Sequence, residues 1–317
     1  MREKILITGG AGYVGSVLVP ILLEKGYYIR VIDNLMYGVS SLLSCFINKN
    51  FEFIKGDITS KEVIQNVLKD IDFIIHLAAI VGYPACKLNP KLAKRVNIDG
   101  TRNILEKKRK DQLLIYSSTG SNYGIVKDRI CTEETPLNPI SVYGKTKTEA
   151  EELIAISDNF ITFRFATAFG LSPRLRLDLL INDFVNMALR RKEIILYERF
   201  FKRTFIHVRD MAKAFIFAIE NADRLKGETF NVGSENMNYT KEEIANIIKN
   251  KISYYLHFAE IGEDEDKRNY EVSYKKINKL GYFTGITMEE GIDELIKGLK
   301  MINIPTYYSN ADLTFYV

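Results

Sequence analysis

A tyrosine four residues ahead of a lysine has chemical consequences on a helix, because positions i and i+4 share a face. An ammonium beside a phenol favours the phenolate and draws a Tyr pKa down from about 10. A phenolate so placed is a general base able to take the proton of an alcohol. The chain holds three such pairs, Tyr83/Lys87, Tyr123/Lys127 and Tyr143/Lys147, so spacing alone selects none. Their neighbours separate them. Tyr83 precedes Pro84, which disfavours helical backbone at the preceding residue. Tyr123 runs into Gly124-Ile125-Val126, a poor helix start in what reads as a loop. Tyr143 follows Pro139 and opens a run of good helix formers from Lys145 to Ile154, so Tyr143 and Lys147 are the expected catalytic pair. A hydroxyl to orient the substrate alcohol is expected from Tyr116-Ser117-Ser118-Thr119, with Thr119 first and Ser118 next. Taken alone, such a cluster after a strand would be ordinary turn chemistry.

The second group is Thr8-Gly9-Gly10-Ala11-Gly12-Tyr13-Val14-Gly15, which follows an apolar run and opens a helix. Gly9, Gly12 and Gly15 permit a tight turn, close approach of backbone to a pyrophosphate, and close helix–strand packing. The helix start adds free N–H groups and a positive dipole end. Asp33 closes the second strand, where a carboxylate accepts from ribose hydroxyls and repels a 2′-phosphate, favouring NAD over NADP. Asp57 closes the third strand and has two readings, an acceptor for an adenine amino group or a helix cap before Ser60. Leu77-Ala78-Ala79 ends the fourth strand with small residues that let backbone lie beside a cofactor; His76 is read as packing or bonding locally.

The elements that must position these groups alternate. Strands are predicted at 4–8, 28–33, 51–56, 71–77, 113–118 and 160–166, with helices near 13–25, 60–69, 90–108 and 143–157. Short Val/Ile/Leu/Phe runs alternating with helices imply an α/β fold, a Rossmann-type doubly wound parallel sheet covered on both faces. Ligands of such sheets bind at the carboxyl ends of the strands, where every motif above falls. After Gly170 the rhythm breaks. The expected division is a cofactor domain at 1–170, with 203–235 returning to its sheet, and a smaller mixed α/β substrate lobe from 171–202 and 236–317. Within that lobe Thr240/Glu243 and Thr287/Glu290 predict capping boxes.

A formal charge of +4 from 44 basic and 40 acidic residues does not suit a nucleic-acid binder. No apolar run reaches the length of a membrane span, and Ile5-Leu6-Ile7 is too short for a signal core. Three scattered cysteines and three scattered histidines suggest neither disulfides nor a metal site. A cytoplasmic, metal-free protein is expected.

Together these residues resemble the extended short-chain dehydrogenase/reductase family, and within it the sugar-nucleotide enzymes of the UDP-galactose 4-epimerase type. Further landmarks are Asp33-Asn34-Leu35, Gly56-Asp57, Asn97-Ile98-Asp99-Gly100-Thr101 and Arg203-Thr204-Phe205-Ile206-His207-Val208. The resemblance implies NAD bound by Gly9, Gly12, Tyr13, Val14, Gly15, Asp33, Asn34, Asp57, Ile58, Leu77, Ala78, Ala79, Asn97, Ser117, Tyr143 and Lys147. It implies a nucleotide-diphosphate sugar as substrate, contacted by Thr119 and Thr167, with Arg203 and Arg268 on its phosphates. Arg174 and Arg176 are further substrate candidates, with solvated loop charges the competing reading. A homodimer through the helices near 91–108 and 143–157 is implied as well. The implied reaction is oxidation at C4 by Tyr143 and NAD to a transient 4-keto sugar, then reduction on the other face. Gly120 and Ser121 stand where the 4,6-dehydratases carry an Asp-Glu pair, which disfavours dehydration. The segment 166–184 is similar to a branch containing a GDP-heptose C4 dehydrogenase, so net oxidation is the alternative. A non-catalytic NAD sensor is the remote one, since Tyr143 and Lys147 are both kept.

Overall fold

The computed structural model describes residues 3–38, 41–260, 269–302 and 309–310, so Arg268 lies outside the described residues. The strands are β1 Lys4–Thr8, β2 Tyr28–Asp33, β3 Phe51–Lys55, β4 Phe73–His76, β5 Leu113–Thr119, β6 Ile125–Cys131 and β7 Phe160–Phe165. They continue with β8 Thr167–Phe169, β9 Glu193–Leu196, β10 Lys202–His207, β11 Glu228–Val232, β12 Asn238–Thr240, β13 Tyr255–Phe258 and β14 Asn269–Val272. The helices are α1 Gly15–Glu24, α2 Lys61–Val67, α3 Tyr83–Leu88, α4 Pro90–Lys94, α5 Gly100–Lys107 and α6 Val142–Ala155. Beyond these lie α7 Leu180–Arg190, α8 Val208–Glu220, α9 Ala222–Leu225, α10 Lys241–Lys249, α11 Lys275–Asn278 and α12 Met288–Met301.

Seven strands form one parallel sheet in the order β11-β7-β5-β4-β1-β2-β3. The strand order reverses between β1 and β4, and that switch point opens the crevice in which such sheets bind ligands. Alternation along β1 shows how both faces are covered. Ile5 and Ile7 join one buried layer with Leu18, Val19 and Leu22 of α1 and Phe215 of α8. Leu6 points the other way, onto Ile64 of α2, Ile104 of α5 and Ile154 of α6. Each such side chain removed from water contributes about 1.5–3 kcal/mol, which fixes the register of the central strands and hence the ends that carry the site. A third buried cluster, around Phe184, Ile244, Ile292 and Leu295, gathers residues of α7, α10 and α12. Both capping boxes are formed there, at the starts of α10 and α12.

Three local expectations change. Strand β10 does not rejoin the main sheet: it lies between β8 and β12 in a sheet of its own, and β11 alone returns, alongside β7. The β7 edge is thus occupied by β11, and β10 pairs with the short extension β8 instead. Tyr83–Leu88 is a helix after all, because Pro84 falls in its first turn, where a missing N–H has no partner to lose. Past Tyr123, where a loop is expected, residues 125–131 form β6 by pairing with distant β14, a contact without local signal.

Candidate active site

The turn after β1 is shaped by what a side chain would strike. Gly9 has φ +70°, and a Cβ there would sit 2.7 Å from the Ala78 backbone; one on Gly15 would sit 2.4 Å from the Gly10 carbonyl oxygen. Gly12 lines the cleft, and helix α1 begins at Gly15 with no side chain capping Val14. Asp33 at the end of β2 accepts from Ala11 N at 3.0 Å and Leu35 N at 2.8 Å, which pins its carboxylate beside the turn. Burial pushes the Asp33 carboxyl up, and those two N–H groups oppose the rise. Asp57 accepts from Thr59 N and from Asn34 Nδ2, while Ser60 itself caps α2. The capping reading of Asp57 is therefore wrong, and the carboxylate lies on the cleft wall.

The cleft crosses the carboxyl ends of the central strands and encloses about 1550 Å³, its open mouth included. Gly9, Gly12, Tyr13, Val14, Gly15, Asp33, Asn34, Asp57, Ile58, Leu77, Ala78, Ala79 and Ser117 line one part of it. Thr119, Tyr143, Lys147, Thr167, Arg174 and Arg176 line the cleft as well. Asn97 and Arg203 are both buried but are not on this wall.

Asn97 works one step back. Its amide accepts from Ile80 N at 2.7 Å and donates to Ile80 O and Thr146 Oγ1, holding the loop after β4 against α6. The residue sits in a π-helical turn, Arg95–Asp99, the kind of local irregularity that often accompanies functional sites. His76 braces the other end of the same loop. Thr101 Oγ1 donates to Asn97 O, so it accepts from His76 Nε2 at 2.9 Å; His76 Nδ1 then accepts from Thr8 Oγ1 at 2.7 Å, and Thr8 accepts from Ala78 N. Burial, helped by the Lys147 charge, holds His76 down at about 3, so the folded ring stays neutral. An unfolded His binds a proton below about 6.5, so stability is lost as pH falls from there toward 3, by up to about 1.4 kcal/mol per pH unit. His76→Asn is expected to flatten that slope, read as the difference in denaturant midpoint between pH 7 and pH 5. An unchanged slope would show that the folded ring titrates normally.

On the catalytic side, Ser141 Oγ accepts from Gly144 N and starts α6, placing Tyr143 in its first turn and Lys147 one turn on. Lys147 is 3% exposed, with its ammonium 4.0 Å from the centre of the Tyr116 ring. Burial pulls Lys147 down to about 7, against the opposing pull of Glu151. Thr119 Oγ1 donates to Ser121 Oγ at 3.1 Å and lines the cleft. Ser118 lines the cleft too, but its hydroxyl donates to buried Glu151 at 2.5 Å. Glu151 was not anticipated from sequence, although it lies four residues after Lys147 on the same helical face. It accepts from Arg164 Nε at 2.8 Å and Nη2 at 2.6 Å, and from Asn122 Nδ2 at 3.1 Å. Arg174 and Arg176 are 2% and 7% exposed, so neither is a solvated loop charge. Arg176 pairs with Asp178 at 2.6 Å, and although burial alone would raise the Asp178 pKa, this partner holds it low.

The family described as NAD dependent epimerase/dehydratase matches residues 5–233. The chain belongs to that family. A Methanocaldococcus jannaschii protein, provisionally assigned as a UDP-glucose 4-epimerase, is 31% identical over 94% of this chain and 99% of its own length. Among solved structures, UDP-glucuronic acid 4-epimerase from Bacillus cereus in complex with UDP-glucuronic acid and NAD has TM-score 0.83 and 25% identity, covering 94% of this chain and 99% of that one. The dTDP-glucose 4,6-dehydratase of Bacillus anthracis in complex with NAD has TM-score 0.83 and 27% identity, covering 95% and 98%. As in the epimerase/dehydratase family at large, the cofactor is NAD, and the residues fit it. Glycines crowd the turn, an uncapped helix start faces the cleft, and carboxylates close β2 and β3. Among the described residues no helix is long and apolar enough to cross a membrane.

Proposed function

We propose that this family member is a sugar-nucleotide 4-epimerase in which Tyr143 is the general base and acid. The observation that carries the reading is the meeting of Tyr143, Lys147 and Thr119 at one end of a cleft whose other end is built for a dinucleotide. Bound NAD supplies a hydride acceptor that can also return the hydride. Tyr143 takes the proton of the sugar hydroxyl and later gives it back, Thr119 aligns that hydroxyl, and Lys147 favours the phenolate. Glycines and the α1 start hold phosphates, and Asp33 takes the ribose hydroxyls. Arg176 and Thr167, on the cleft wall, face the sugar nucleotide; the same reading assigns Arg203 to the diphosphate, although it is buried on β10 and is not among the residues lining the cleft. A homodimer through α4–α5 and α6 belongs to the same reading.

Two relatives of the chain, a decarboxylase and a dehydratase, warn that the first oxidation can lead elsewhere. Dehydration needs an added acid and base beside the sugar. Among the described residues the only carboxylates on the cleft wall are Asp33 and Asp57, both at the dinucleotide end, while Gly120 and Ser121 follow Thr119. The test is incubation of the NAD-loaded protein with UDP- and GDP-sugars, followed by absorbance near 340 nm and NMR of the sugar. A C4-inverted sugar without net NADH is the expected result. Stoichiometric NADH with a released keto sugar would replace the epimerase by a C4 dehydrogenase.

A further inference from the structure

The loop from Gly170 to Asp178 is stapled to the beginning of α1. Tyr13 donates its hydroxyl to Gly170 O at 2.7 Å, Ser172 Oγ donates to Tyr13 O at 2.7 Å, and Ser16 Oγ lies 2.9 Å from Ser172 Oγ. The Arg174 backbone N–H also reaches Ser16 Oγ. These contacts drive Arg174 inward. Its guanidinium stacks 4.2 Å from the centre of the Tyr37 ring, and one nitrogen donates to Leu175 O at 3.1 Å. Nε and Nη2 are buried with no hydrogen-bond partner among the described residues, and so is the Tyr37 hydroxyl.

A guanidinium removed from water without an anion is strongly disfavoured, so the identity of its missing partner is informative. The nearby carboxylates are engaged elsewhere: Asp33 with the N–H groups of Ala11 and Leu35, Asp178 with Arg176. Position then decides the ligand. Arg174 shares a small recess with Ala11, Gly12, Asp33, Leu35 and Tyr37, at the glycine-turn end of the cleft. None of Thr119, Tyr143 or Thr167 borders that recess. The anion expected at a glycine turn and helix start is the pyrophosphate of the dinucleotide, and a planar fork with two free donors matches paired phosphate oxygens.

We propose that Arg174 is a cofactor residue, closing over the dinucleotide pyrophosphate, and that the 170–178 loop is a strap retaining NAD between turnovers. This deepens the NAD reading of the cleft and moves Arg174 from the substrate side to the cofactor side. The test compares Arg174→Met and Arg174→Lys with the parent after the cofactor has been stripped. Binding of NAD, ADP-ribose, adenosine and UDP is measured by calorimetry, with UDP titrated into NAD-saturated protein. Arg174→Met is expected to weaken NAD and ADP-ribose about 10- to 100-fold, with adenosine and UDP unchanged and Arg174→Lys intermediate. Unchanged NAD affinity overturns the proposal, whether UDP weakens (a substrate role) or not (no ligand role). Should Arg174→Met fail to fold, hydrogen exchange on the parent decides. ADP-ribose is expected to protect the amides of 170–178 and adenosine not to; equal protection by both overturns it. A parent that binds no NAD at all would instead sink the cofactor reading itself.

Discussion

Replacing Tyr143 with Phe is expected to lower turnover of the sugar nucleotide by about 10²–10⁴-fold, the usual range for losing a positioned general base. The ring is kept, so α6 and the cleft wall should be undisturbed, and NAD content of the purified protein should match the parent. Initial rates together with bound-cofactor absorbance check both halves of that expectation. Parent-level turnover would remove Tyr143 from the mechanism. The base would then have to be sought at Tyr83, which also lines the cleft and has the Lys87 ammonium 5.6 Å from its ring centre. The loss of the hydroxyl at Thr119→Ala should be milder, since Ser121 Oγ lies 3.1 Å away and can orient the alcohol in part.

Glu151→Leu is expected to be the most destabilising single change near the site. The side chains of Glu151 and Arg164 are 7% and 9% exposed, and the carboxylate satisfies Arg164, Ser118 and Asn122 at once. Arg164 carries the network further, donating to the Tyr123 hydroxyl at 3.1 Å, which in turn donates to Asn231 of β11 at 2.7 Å. Removing the anion strands a buried guanidinium, a change that costs about 3–5 kcal/mol. Urea unfolding gives the value. Glu151→Gln, which keeps the shape and part of the bonding, should fall between the two. A loss below about 1 kcal/mol for the Leu variant would mean that Arg164 finds another partner or water.

The parts of this architecture legible in the sequence are those set by local pattern. Ile5-Leu6-Ile7 followed by glycines could be little other than a central strand and its turn, and the strand ends at Asp33 and Lys55 fell within a residue of expectation. The two capping boxes were equally local. What could not be read is what depends on distant pairing. Strand β6 exists through β14, and β10 turns to β8 because β11 has taken the edge it was expected to join. At the site, residue types signalled Tyr143, Lys147 and Thr119, but not the second tier. Asn97 was recognisable as a landmark while its task, gripping Ile80, was not. Arg174 and Arg176 read as loop charges or substrate contacts because nothing in Ser172-Pro173-Arg174-Leu175-Arg176 announces that Tyr13 and Ser16 will draw the loop inward. Pro84 misled, since its effect depends on whether it falls inside a helix or at its start.

Strand β11 also bears on how the molecule is made. The edge place beside β7 is filled only by residues 228–232, after an excursion of some sixty residues. On a ribosome, synthesising at about 5–20 residues per second, the nascent chain would pass several seconds with Phe160–Phe165 exposed as a bare parallel edge. Such an edge invites pairing with other chains. A fragment cut at residue 170 is therefore a poor choice for expressing the dinucleotide unit by itself, whereas one extended through Val232 and α8 carries its own closing strand.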